Sequence, residues 1–461
     1  MREFYENLQK KLLKSLKIVR SYDWLLNSYV LDFYVKDHWS KFPGSWQQVL
    51  ENVMPEDLCY ILDFNNNIAT LQTWPLSLLT LRVLFKELCI KREENEIRVT
   101  FLKSIYHFSP LLQHPKLKEI FVKGVKRKKR HELEFMASTC VEMCQNVAVD
   151  FIVDFGAGVG HLARVLGFGC GIKVCCIEMQ DQLNKQAEEI DKKMMALINK
   201  YLPPKQAKTC QTPTHVNLCI TPATAPEAFL QKIQKSLKLR KDDYKFGIVG
   251  LHSCGDLAAV LIQMFLHCKQ AKFINLVGCC YMKLSAKDTA NETDQGYPLS
   301  QYLSQRSLSF LSYEAREISC HAIEMYKQRL AGNNYDYLKI HSFRAAAERI
   351  IAKHYPELRH SGLKSIKHCG NIQFEEAVTG LPLATIPAEN LLTAITQKDL
   401  SRWRQIVIYY TLRLFFGPLI ESIILYDRIL FLVENGCIVD IRAVFEATIS
   451  PRNHIIIAGK R

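Results

Sequence analysis

The stretch from Asp150 to Met179, DFIVDFGAGVGHLARVLGFGCGIKVCCIEM, leaves the chain few folds to choose from. An apolar run, Phe151 to Val153, ends in Asp154, and Gly156, Ala157, Gly158, Val159 and Gly160 follow closely. Leu162, Val165 and Leu166 then recur at helical spacing, and a second apolar run, Ile172 to Ile177, ends in Glu178. This order of strand, glycine turn, helix, strand and acid is the first half of a nucleotide-binding α/β sheet. A turn leaving a buried strand needs positive φ and no Cβ where a ligand crosses the backbone, and glycine supplies both.

The spacing narrows the ligand. The dinucleotide fingerprint is G-x-G-x-x-G, whose third glycine would fall where this chain has His161. The pattern here is an acid, Asp154, followed by Gly156, Gly158 and Gly160 at alternate positions. It resembles motif I of class I S-adenosylmethionine-dependent methyltransferases. That resemblance implies S-adenosyl-L-methionine as cofactor. It also implies that Asp154 and the turn Gly156, Ala157, Gly158 and Gly160 face its methionine part. Glu178, closing the second strand, would accept hydrogen bonds from both ribose hydroxyls.

Length and composition bound the rest. With 461 residues, 48% hydrophobic and 23% charged, the chain has material for two or three domains and the composition of a globular protein. A net charge of +14 favours acidic partners, nucleic acid before membrane surface, although a solvated basic surface has the same charge. There are 16 cysteines and no C-x-x-C pair, so no metal site is expected, and thiols inside apolar runs (Cys175, Cys176, Cys279, Cys280) read as packing residues. The start, MREFYENLQKKLLKSLK, is amphipathic and lacks a signal-peptide core, so an intracellular location, cytoplasmic or nuclear, is expected. No apolar run reaches membrane-spanning length, because Asn65, Asn66, Asn67, Gln72 and Pro75 interrupt Phe64 to Leu81.

Along the chain, residues 1–120 read as a helical amino-terminal domain, with Leu8, Leu12, Leu13, Leu16, Ile18 and Val19 at helical spacing and Trp39, Phe42 and Trp46 as core anchors. Residues 121–284 read as the first part of a Rossmann-like core. They hold helices at Glu132 to Cys144, Asp181 to Tyr201, Gln231 to Lys241 and Leu257 to His267. Strands fall at His215 to Ile220, Phe246 to Leu251 and Lys272 to Cys280. Residues 285–400 read as a helical insertion, with patterns at Tyr302 to Leu311, Glu314 to Leu330 and Phe343 to His354. Residues 401–461 read as closing helices (Trp403 to Phe415, Pro418 to Glu434) and an antiparallel strand pair (Cys437 to Ala447, His454 to Ala458) about a Ser450-Pro451-Arg452-Asn453 turn. The fold class expected is α/β: a class I methyltransferase sheet with an amino-terminal helical domain and a helical insertion before the last two strands.

Chemistry in an open α/β sheet sits beyond the carboxyl ends of the strands. The loops at issue are therefore His252 to Asp256 and Cys279 to Met282. Methylation of a base amino group goes with an Asn/Asp-Pro-Pro-aromatic loop after the fourth strand, and Leu-His-Ser-Cys-Gly-Asp has neither proline nor aromatic. His252 is a candidate general base or a loop-ordering residue that also borders the cofactor. Asp256 reads as a helix cap. Cys254, Cys279 and Cys280 are candidate nucleophiles for carbon-5 pyrimidine methylation, and Tyr281 a candidate stacking ring. Upstream, Lys123, Lys126, Arg127, Lys128, Lys129 and Arg130 form a basic run that reads as an RNA contact, a nuclear import signal or a solvated loop.

Taken together, Lys128-Lys129-Arg130-His131-Glu132, VDFGAGVGHLAR, GLHSCGDL, VGCCYMKLS, Gly296-Tyr297-Pro298-Leu299-Ser300 and Ser450-Pro451-Arg452-Asn453 resemble the methyltransferase-like protein 25 family, also called the ribosomal RNA adenine dimethylase domain-containing family. The chain is similar, more distantly, to transfer-RNA ribose-methylating enzymes with a His-x-Cys-Gly loop and a Cys-Cys-His run, where Tyr281 replaces their histidine. The resemblance implies a class I methyltransferase fold with the cofactor at Asp154 to Gly160 and Glu178. Three functions remain open: a methyltransferase acting on RNA or an RNA-associated protein, a methyltransferase-fold binding module without catalysis, and a protein or small-molecule methyltransferase. The catalytic candidates under the first are His252, Cys279 and Tyr281.

Overall fold

The computed structural model describes residues 2–64, 70–93, 114–122, 124–240, 242–286, 296–332, 335–360, 374 and 391–460. Lys123, Asn65, Asn66, Asn67 and Lys241 lie outside them, as do 287–295, 361–373 and 375–390 of the helical insertion. Among the described residues, no helix is long and apolar enough to cross a membrane.

The chain divides into two compact units. One holds residues 1–12, 91–311 and 423–461, and the other 13–90 and 312–422. The first is built on seven strands: β1 (Phe151–Phe155), β2 (Val174–Glu178), β3 (Thr214–Asn217), β4 (Phe246–Cys254), β5 (Ala271–Cys279), β6 (Ile438–Ala443) and β7 (His454–Gly459). Their order is β3-β2-β1-β4-β5-β7-β6, with β7 antiparallel to both neighbours and the pairs from β3 to β5 parallel. This is the sheet the motif I resemblance implies. The strand order switches direction between the parallel neighbours β1 and β4, so the crevice for a ligand opens at their carboxyl ends. Both strands are buried along nearly their whole length, which is why they read as unbroken apolar runs.

Helices α1 (Arg127–Asn146), α2 (Asp181–Tyr201), α3 (Pro226–Leu237), α4 (Leu257–His267) and α5 (Gly417–Glu434) accompany the sheet. On α1, Leu133, Met136, Ala137 and Cys140 recur three and four apart and pack with Ile152 of β1, Val249 of β4 and Ile455 of β7. On α2, Asn184, Ala187, Asp191, Met194 and Ile198 make the buried stripe of an otherwise charged helix.

Several local expectations are corrected. The basic run is not a loop before a helix: Lys126 is the residue preceding α1, and Arg127 to Arg130 form its first turn. The third helix starts at Pro226, whose fixed φ suits a first helical position, and Lys238 ends it in a left-handed conformation at φ 54°. β4 runs past Leu251 to Cys254 through a register shift between Leu251 and Ser253. β3 is a short edge strand, Thr214–Asn217. Of the insertion's patterns, Tyr302 to Leu311 becomes two short turns, Gln301–Ser304 and Ser307–Ser309. Glu314 to Leu330 breaks into Tyr313–Ile318 and Ile323–Leu330.

The second unit is helical. Phe33, Tyr34, Trp39, Phe42 and Trp46 are buried in it, with Phe42 stacked on Trp46 at 5.9 Å. Residues 13–90 and 312–422, read apart along the sequence, contribute to this one unit.

Candidate active site

The cofactor side of the crevice is built by β1, β2 and the turn between β1 and the next helix. Gly156, Gly158 and Gly160 have φ of 68°, 57° and 78°, conformations that L side chains rarely adopt. The Gly156 and Ala157 amides donate to the Ile177 carbonyl at 2.9 and 3.2 Å, which pins the turn to β2. The Gly158 amide donates to Oε2 of Glu178 and the Gln180 amide to Oε1, each at 3.0 Å. Asn184 donates to the Glu178 carbonyl at 3.1 Å. Each Glu178 oxygen thus has one acceptor position taken and a second available to a diol.

Asp154 is buried at the end of β1. Burial pushes its carboxyl up to about 7, the Lys129 charge opposes the rise and the Glu178 charge adds to it. A carboxyl held this way gains most from a cationic ligand. An ammonium for Asp154, a vicinal diol for Glu178 and an open side at Gly158, where a Cβ would meet nothing within 4 Å, match the donor set of S-adenosylmethionine. The turn also rests on a network that sequence reading missed. A Cβ at Gly160 would stand 3.0 Å from Cε1 of His215, whose Nε2 lies 2.7 Å from Asp191. Asp191 also pairs with the buried Arg164 at 3.0 Å. The only sequence signal for it was polar residues on the inner stripe of an amphipathic helix.

Across the crevice, the bulge of β4 puts His252 in the left-handed region at φ 64°. Its Nε2 lies 2.9 Å from Oε2 of Glu132, a first-helix carboxylate that is 1% exposed. Ser450, from the β6–β7 connection, donates its hydroxyl to Oε1 of the same carboxylate at 2.7 Å, and the Lys128 ammonium stands 3.6 Å away. Burial alone would raise the Glu132 carboxyl. The hydrogen bond and charge of His252, the Ser450 hydroxyl and Lys128 bring it below its ordinary value. One residue earlier, His131 Nε2 accepts the Glu446 amide at 2.8 Å. Residues from Lys128 to Glu132, the His252 loop and the Ser450 turn, far apart in sequence, therefore meet at one carboxylate. With Nε2 directed to Glu132, the imidazole carries its proton there and presents Nδ1 as the accepting nitrogen, the tautomer a general base needs. Glu132, which the sequence presents within the Lys128-to-Glu132 motif without a role, is a candidate functional residue by this geometry.

The other loop candidates fall differently. Tyr281 is 1% exposed and lies beneath the guanidinium of Arg428, 5.5 Å from its ring centre, so it presents no face for stacking. Asp256 precedes α4, but its carboxylate does not cap that helix; it accepts the Ser285 amide at 2.7 Å instead. Cys279 is buried against Cys254, their sulfurs 3.0 Å apart, with Cys280 at 3.4 Å from Cys254. Hydrogen bonding with Cys254 and burial push the Cys279 thiol far up, which opposes a nucleophilic role. Cys254 moves the other way, held down first by Cys279 and also by Cys280, His252 and Lys283 against the effect of burial.

Lys126, Arg127, Lys128 and Arg130 are exposed at the start of α1. Arg130 folds back to donate to the Val125 carbonyl at 2.7 Å. Lys129 is part-buried, and its charge acts on Asp154.

Residues 128–287 match a family model described as a methyltransferase domain. The chain is 28% identical over 234 residues to the mouse (Mus musculus) protein named "Probable methyltransferase-like protein 25", a match covering 46% of this chain and 37% of the relative. It is likewise 28% identical over 228 residues to the human (Homo sapiens) protein of that name, with the same coverage. The chain thus spans little more than a third of the length of these curated relatives. No solved structure matches it.

Proposed function

We propose that this chain, which carries a class I methyltransferase domain resembling methyltransferase-like protein 25 and uses S-adenosylmethionine, methylates RNA at an atom whose proton must leave as the methyl arrives. The observation that carries the reading is the Glu132–His252 pair, 2.9 Å apart at the end of β4. The cofactor supplies a methyl group activated on a sulfonium. Asp154 would hold the ammonium of the ligand's amino-acid part and Glu178 its ribose. The acceptor would take that methyl with its lone pair, leaving the cofactor as a thioether, and would give up its proton to Nδ1 of His252. Glu132 stabilises the imidazolium that results, as the buried carboxylate of a hydrolase triad does. A ring amino group bound by backbone carbonyls would need no such base, and the loop after β4 has no proline-aromatic element to hold one. An hydroxyl acceptor does need one.

RNA as the acceptor rests on charge. The net charge is +14, and exposed Lys126 and Arg127 open the helix that also supplies Glu132. The test is transfer of labelled methyl from the cofactor into cell extract, divided into RNA and protein fractions. Label in RNA that is lost in His252→Ala supports the reading. Label in protein alone overturns the RNA acceptor, and no label in either fraction favours a binding module.

A further inference from the structure

We propose that Cys254, Cys279 and Cys280 form a three-thiolate site for one zinc ion at the carboxyl ends of β4 and β5, with the fourth coordination position open. The three sulfur atoms lie within 4.8 Å of one another, and Cys254 stands 3.0 Å from Cys279 and 3.4 Å from Cys280. Tetrahedral zinc with bonds of about 2.3 Å sets sulfur–sulfur separations of about 3.8 Å, so the thiols need to part by less than about 1 Å. Strand pairing makes the arrangement, since Cys254 and Cys279 are register partners across β4 and β5.

The backbone around the thiols is arranged for their convergence. Cys280 takes a left-handed conformation at φ 49°, which a cysteine adopts only under constraint, and this turns its thiol back toward Cys254. Gly255, at φ 54°, lets the chain pass so close to Lys283 that a Cβ there would stand 2.7 Å from the Lys283 carbonyl.

A second feature would favour an anionic, metal-loaded cluster. Arg428 is 1% exposed, and none of its guanidinium nitrogens has a hydrogen-bond partner among the described residues. It lies against Gly278, the residue before Cys279, where a Cβ would stand 2.4 Å from Nη1. The acids that reach it, Asp427 and Asp256, are already occupied: Asp427 by the Leu299 and Ser300 amides and the Ser300 hydroxyl, Asp256 by the Ser285 amide. The guanidinium therefore feels the charges of Asp427 and Asp256 but has no hydrogen bond to either among the described residues, and further negative charge beside it would be favourable. Zinc binding would release the thiol protons to solvent and leave a unit of three thiolates and one divalent cation with a net charge of −1, which the Arg428 guanidinium would favour. Cys254 is exposed, so the fourth position is reached by water or by a nitrogen or sulfur of an acceptor.

The test uses the full chain purified under reducing conditions with zinc supplied. Elemental mass spectrometry should find about one zinc per chain. Exchange for cobalt should give a thiolate-to-cobalt charge-transfer band in the near ultraviolet. Both should be lost in Cys254→Ser, whose exposed position tolerates the change, while calorimetric binding of S-adenosylhomocysteine reports that the variant is folded. Wild-type protein without zinc and without the cobalt band overturns the proposal. So does metal retained in folded Cys254→Ser, or a Cys254–Cys279 disulfide in place of metal.

Discussion

If Asp154 holds the cofactor's ammonium, cofactor affinity is a function of pH. Its carboxyl is raised from 3.8 to about 7 chiefly by burial. A rise of about three units means that ionising Asp154 in the unliganded protein costs roughly 4 kcal/mol more than in water. The sign of the stability effect follows. The folded-state value is the higher one, so this group's contribution to stability is present below the ordinary carboxylate range and is lost as pH rises toward about 7. Cofactor binding runs the opposite way, because a cationic ligand favours the ionised acid. If only the ionised form binds, apparent affinity scales with the ionised fraction. It should then fall about 25-fold from pH 7.5 to pH 5.5, a window in which an α-amino group stays protonated. Calorimetry of S-adenosylhomocysteine binding at several pH values measures this, and repeating it in buffers of different ionisation enthalpy counts the proton released. Asp154→Asn should bind weakly at every pH, with a flat profile and no proton release. Equal affinity at pH 5.5 and 7.5 in the wild type, or an unchanged profile in Asp154→Asn, would refute the assignment.

Replacing Glu178 by Gln leaves the shape but removes a charged acceptor, so calorimetry should show cofactor affinity lowered by about 1.5–3 kcal/mol per hydrogen bond lost. Glu132→Gln keeps the contact to His252 but not the charge opposite its imidazolium. Turnover should fall, with cofactor affinity unchanged, and pH–rate profiles of wild type and variant should differ on the acidic limb. Lys126→Gln with Arg127→Gln spares Lys128, which pairs with Glu132. Filter binding at several salt concentrations should show the slope of log affinity against log salt reduced by about 0.7–0.9 for each phosphate contact removed. An unchanged slope would assign these residues to solvent. Met136→Ala empties a fully buried position between α1 and the sheet and should cost about 2–5 kcal/mol in denaturant unfolding.

What could be read from the sequence was whatever local pattern decides. The Gly156–Gly160 turn, β1 and β2 follow from apolar runs ended by acids, and α2 follows from a strict three-and-four stripe. Leu257–His267 and Trp403–Phe415 stand at the expected boundaries. Patterns failed where tertiary contacts override them. Nothing local says that His252 continues a strand. The bulge exists because β5 supplies a partner on the far side and Glu132 accepts from the imidazole. Asp256 looks like a cap because acids favour helix starts, yet an amide some thirty residues on takes its carboxylate. Tyr281 looks like a stacking ring until α5 lays Arg428 over it. The thiols show the same limit. A search for paired cysteines close in sequence finds none, and parallel strands place Cys254 beside Cys279 without any such spacing.

The sheet order sets a timetable for synthesis. β5 is complete at Cys279, but the strand that covers its outer edge, β7, begins at His454. Residues 312–422, which belong to the other compact unit, are made in between. At about 5–20 residues per second, the edge of β5 waits roughly 10–35 s for its partner. During that time a long apolar strand shows unpaired backbone groups to any neighbouring chain. Glu132 waits nearly twice as long for Ser450. The nascent protein thus has its cofactor turn well before it has a closed sheet or a finished active site, and this interval is when chaperones would matter most to it.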